Sequence, residues 1–191
     1  MMTNKFLRYG ILVLSAAALL TLSSCERDND EEENEEEVLT TLEMTFTPVD
    51  GGTALVFSFD DPDGFGGNAP TTQDIVLAPN RQYNVAVRVL NKTENPVEDK
   101  TSEIRAEGTA HRFFFEPAPA NLVALSNVDA DANGLALGLN STWTTSAANA
   151  GTVRVTLRHY GGNPPNKANA DPVDSPKSTT DIQATFNLRI E

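Results

Sequence analysis

From Val38 onward the chain alternates hydrophobic and polar residues with a period of two. Leu42, Met44 and Phe46 interleave with Thr41, Glu43, Thr45 and Thr47, and Leu55, Phe57 and Phe59 with Ala54, Val56 and Ser58. Tyr83, Val85, Val87 and Val89 stand opposite Asn84, Ala86 and Arg88, and Val153, Val155 and Leu157 opposite Thr152, Arg154, Thr156 and Arg158. The longest run sets Ile182, Ala184, Phe186, Leu188 and Ile190 against Gln183, Thr185, Asn187 and Arg189. Each run suits a strand with one buried and one wet face. Shorter apolar runs at 75–78, 112–115, 122–125 and 135–139 predict further strands, separated by turn clusters such as Val49-Asp50-Gly51-Gly52. Only 102–107 reads as helical, with Gly108 placed to end it. Eight or nine short strands predict one all-β domain over 38–191, an antiparallel β-sandwich of immunoglobulin-like type, with a jelly roll as the alternative. The missing βα alternation excludes a two-lobed solute-binding architecture. Residues 163–180, rich in Pro, Asn, Ala and Asp and without an apolar stripe, predict an exposed loop.

Residues 1–37 lie outside this pattern. Lys5 and Arg8 precede an apolar stretch of 11 residues at 10–20, too short for a membrane span of about 20. Leu22-Ser23-Ser24-Cys25 follows, small residues leading to the only cysteine of the chain. With the charged start and short apolar core, this motif resembles the lipobox of bacterial lipoprotein precursors. The resemblance implies a signal peptide over 1–24, lipidation of Cys25 as the mature N-terminus, and membrane association through acyl chains. More than one chain is needed for a stable anchor of this kind.

Charge sharpens this division. The chain carries 27 acidic and 14 basic residues, a formal net charge of −13. Nine of the acids fall within 26–37 (ERDNDEEENEEE) and are opposed only by Arg27. Such a self-repelling segment cannot bury a core and predicts, with Cys25, a disordered tether over 25–37. An acidic run directly after the lipidated cysteine also resembles the export signal of Bacteroidota-type surface lipoproteins, which implies an outer-membrane location facing the cell exterior. The alternative is a plain spacer on a periplasm-facing protein. The acidity excludes direct nucleic-acid binding, which needs clustered Lys and Arg. The lone cysteine excludes an internal disulfide framework and a multi-cysteine metal site.

Two loops carry oxygen donors at calcium-like spacing. Asp129-Ala130-Asp131-Ala132-Asn133-Gly134 opens like a D-x-D-x-N-G loop, with Asp129, Asp131 and Asn133 as ligands. Position 12 is Asn140 where an EF-hand needs a bidentate Glu, and the flanks read as strands, so an EF-hand is excluded. Asp61 and Asp63, in the glycine-rich 60–68 segment, form the second candidate. Asp, Asn and Gly equally build ordinary turns.

The two histidines offer a transition-metal alternative. Period two puts His111 on the face of Phe113 and Phe115, and His159 on the face of Val155 and Leu157. If the two strands pair antiparallel, the start of one meets the end of the other and both imidazoles share one rim. Glu107, four residues before His111, would complete a two-nitrogen, one-oxygen set suited to Zn²⁺ or Cu²⁺. Trp143 and Tyr160 are candidates for stacking a sugar at the sandwich edge. No nucleophile elbow, metalloprotease helix, P-loop or dinucleotide fingerprint occurs. The expected function is therefore a non-enzymatic, lipid-anchored binding module of the cell envelope that captures a metal ion or small nutrient beside an outer-membrane transporter. The alternative is a structural or adhesion module with calcium-stiffened loops.

Overall fold

The computed structural model describes residues 38–191 apart from Phe65. The signal peptide, Cys25 and the acidic tether assigned to 1–37 lie outside the described residues. Among the described residues, alternation produces eleven strands in two packed sheets. One sheet runs β3 (Thr71–Thr72), β2 (Leu55–Asp60), β1 (Thr41–Pro48), β5 (Gln82–Asn91), β9 (Asn140–Thr145) and β8 (Val123–Ser126), and β6 (Glu98–Asp99) also pairs with β5. The other runs β4 (Ile75–Leu77), β11 (Ser178–Ile190), β10 (Asn149–Tyr160) and β7 (His111–Ala118). The chain is an all-β sandwich, antiparallel except where β4 lies parallel to β11.

The core is what period two requires. Leu42, Met44 and Phe46 of β1 and Val85, Val87 and Val89 of β5 face Val153, Val155 and Leu157 of β10 and Ala184, Phe186 and Leu188 of β11. Trp143 joins the layers: its ring meets Phe46 edge-on at 5.4 Å and Phe115, from the opposite sheet, at 5.5 Å. The helix α1 (Thr101–Ala106) buries Ile104 and ends one residue before the expected boundary.

Two expectations need correction. Residues 135–139 form no strand. Gly138 sits at φ +89, where its backbone closes on Phe113, and this breaks the extended run. The segment instead stitches the sheets together: Leu137 O accepts from Phe113 N at 2.7 Å, and Leu139 O from Val87 N at 2.9 Å. Residues 163–180 are not simply an exposed loop, since Lys167 and Ser175 are buried. Cations from the strands collect the carbonyls of this connection. Arg112 Nη1 donates to Ala168 O, Asn169 O and Asp171 O, and Arg158 to Ser175 O and Ser178 O.

Candidate metal centre

The register of β7 against β10 places His111 directly opposite His159. Their ring centroids are 4.6 Å apart, tilted by 44°. The adjacency expected from the strand ends is thus present at one rim of the four-stranded sheet.

The carboxylate beside them belongs to Asp181, not to Glu107. Along β11, Leu157 pairs with Ile182 but Arg158 pairs with Thr180, so Asp181 is the extra residue of a β-bulge. Strict alternation back from Ile182 would put Asp181 on the outer face with Gln183 and Thr185. The bulge turns it inward, as bulges near sites commonly do. Asp181 Oδ2 lies 3.7 Å from His111 Nε2, with the two side chains 4% and 0% exposed. One donor atom from each of His111, His159 and Asp181 falls within 4.8 Å of the others.

Glu107 has a different part. Its backbone carbonyl lies 3.1 Å from His111 Nδ1. A carbonyl only accepts, so Nδ1 carries the proton and Nε2 holds the lone pair, which is how histidine ligands are oriented in metal sites. Burial, reinforced by the neighbouring His159, pulls the His111 imidazole down to about 4, and burial lowers His159 in the same direction. At neutral pH His111 is therefore a neutral imidazole whose lone pair lies 3.7 Å from Asp181 Oδ2. Nε2 makes no hydrogen bond there. The donor set of two nitrogens and one oxygen suits a borderline first-row ion.

Of the calcium candidates, the 129–134 loop already has a cation, and it is tethered. Lys167 Nζ, from the 163–180 connection, lies 2.8 Å from Asp131 Oδ2 and donates to Gly108 O at 2.6 Å, His111 O at 2.7 Å and Ala136 O at 3.1 Å. Asp131 Oδ1 accepts from the amides of Asn133 and Leu135. Burial alone would raise the Asp131 pKa, but Lys167 and these two amides outweigh it and hold the carboxyl below its ordinary value. Burial also lowers Lys167, against the pull of Asp131. Asp129 accepts from Gly138 N and from Asn140 Nδ2, and Asn133 contributes its amide to the turn. In the other loop Asp63 caps the backbone and side chain of Asn68, while Asp61 Oδ1 is buried without a hydrogen bond. Both loops are thus folded chiefly by protein donors acting on their carboxylates.

The aromatic candidates are not at a binding surface. Trp143 is fully buried, its Nε1 donating to Ser141 Oγ at 2.9 Å. Tyr160 is fully buried as well, and burial pushes its phenol up. Neither ring is open to stack a sugar. Sequence reasoning missed Asp181 and Lys167; the first is hidden by the bulge, and the second by a loop whose bonds follow no periodicity. The sequence matches no family model and no curated protein, and the fold matches no solved structure.

Proposed function

We propose that the protein is a lipid-anchored binding module of the bacterial cell envelope that captures a first-row transition-metal ion at His111, His159 and Asp181. The observation supporting this reading is the His111–Asp181 pair, in which a tautomer fixed by Glu107 O aims a lone pair at a buried carboxylate oxygen. Imidazoles that stay neutral at pH 7 do not have to lose protons to the ion. The lipobox at Cys25 supplies the anchor, and the acidic 26–37 segment the spacing from the membrane. Presenting the ion to an outer-membrane transporter is the role that suits such a module.

Calorimetric titration of the chelator-treated full chain with Zn²⁺, Cu²⁺ and Ca²⁺ tests this reading. The acidic tether provides weak background sites, so the variants decide. The expected result is one strong Zn²⁺ or Cu²⁺ site lost in His159→Ala and in Asp181→Asn, with both variants melting cooperatively. Heats for Zn²⁺ and Cu²⁺ that are identical in wild type and variants would overturn it, as would a response to Ca²⁺ alone.

A further inference from the structure

The three donors cannot by themselves satisfy an ion. First-row divalent ions take four or more ligands, and among the described residues no fourth His, Cys, Asp or Glu joins the set. Two neighbouring carboxylates are engaged elsewhere. Asp131 is bound by Lys167 and two backbone amides. Glu103 Oε2 accepts from Lys100 Nζ at 2.7 Å. Glu107 gives the site its carbonyl, and its residue is exposed. The vacant position also has a direction. His111 is buried whereas His159 and Asp181 are both half-buried residues, so solvent reaches the set from the side away from His111.

Charge selects what enters. Two neutral imidazoles and one carboxylate leave a divalent ion with a formal +1. The buried ion pair of Lys167 and Asp131 is neutral as a whole, and the Glu107 carboxylate, which bears on His159, is exposed and screened by water. An unbalanced positive charge in a largely dehydrated rim is costly, and a single anionic donor removes it. Resting on the metal reading above, we infer that the centre is a two-component site: the ion held by His111, His159 and Asp181 binds a small exogenous anion through one donor atom, on the side away from His111. Capture would then extend to ions arriving with an anionic ligand such as a carboxylate, and the same open position would let a partner's donor take the ion away.

Cobalt(II) loading of the full chain, read by its visible d–d absorption and titrated with azide, tests the inference. The expected result is a saturable shift of the cobalt bands by azide, one azide per bound ion. Cobalt bands that ignore azide would overturn the inference while leaving the metal reading intact. An azide response that appears only in Glu107→Gln would also overturn it, since Glu107 would then close the shell. A chain that gives no cobalt bands and no Zn²⁺ heat removes the metal reading and the inference with it.

Discussion

The metal-free protein should lose stability in mild acid because of His111, in a window above that of Asp60, Asp99 and Asp131. The imidazole titrates near 6.5 when exposed and at about 4 in the folded chain, where burial and His159 oppose its charge. A folded pKa below the unfolded one means that the unfolded state binds the proton first. The contribution is therefore fully present above pH 7 and falls away between pH 6.5 and 4. At 1.36 kcal/mol per pH unit the loss is about 1 kcal/mol by pH 5.5 and about 3 kcal/mol by pH 4. His159, lowered by burial, adds in the same direction. Asp60, Asp99 and Asp131 are held below the ordinary carboxylate value, so their contributions disappear at lower pH than that of His111. Urea unfolding of chelator-treated protein at pH 7.5, 5.5 and 4.5 measures the effect. His111→Phe keeps a ring against His159 and removes the proton site, so its stability should vary much less across this range. Equal pH dependence in wild type and His111→Phe would refute the assignment of the acid loss to the buried imidazole.

Further predictions concern the site and its supports. Zn²⁺ at about a hundred times its dissociation constant should stabilise the wild type by about 2.7 kcal/mol, raising the melting temperature by about 5–10 °C. Asp181→Asn should abolish that rise in differential scanning fluorimetry. Lys167→Met leaves Asp131 buried without its ammonium and should cost about 3 kcal/mol in urea unfolding, with Lys167→Met/Asp131→Asn recovering part of the loss. Gly138→Ala forces a side chain into φ +89 and within 2.9 Å of Phe113 Cβ, and should cost about 1–3 kcal/mol by thermal melting.

What the sequence made legible followed from periodicity. Strand existence and the meeting of His111 with His159 derive from which face an alternating residue occupies and which strand ends coincide. The site's third donor was illegible for the same reason. One inserted residue at the bulge reverses the face of Asp181, and nothing in Thr179-Thr180-Asp181-Ile182 marks the insertion. The 135–139 run failed as a strand because Gly138 adopts a backbone conformation that hydrophobicity does not encode. Trp143 was ambiguous in Ser-Thr-Trp-Thr-Thr, where flanking hydroxyl residues suit either face; packing between Phe46 and Phe115 decides for the core.

Asp131 and Asp181 show that a sequence motif and a side chain's use need not coincide. The calcium-like spacing singled out Asp131, yet a buried carboxylate needs only a cation and donors, and the chain supplies both from within. Lys167 reaches Asp131 from the 163–180 connection and its ammonium also ties down Gly108, His111 and Ala136 through their carbonyls. That arrangement fixes the start of β7, and hence the backbone from which the His111 ring projects. Asp181, with no motif around it, is turned by the bulge toward the His111 imidazole. The internal ion pair supports the frame, and the bulged carboxylate completes the donor set of the proposed metal centre.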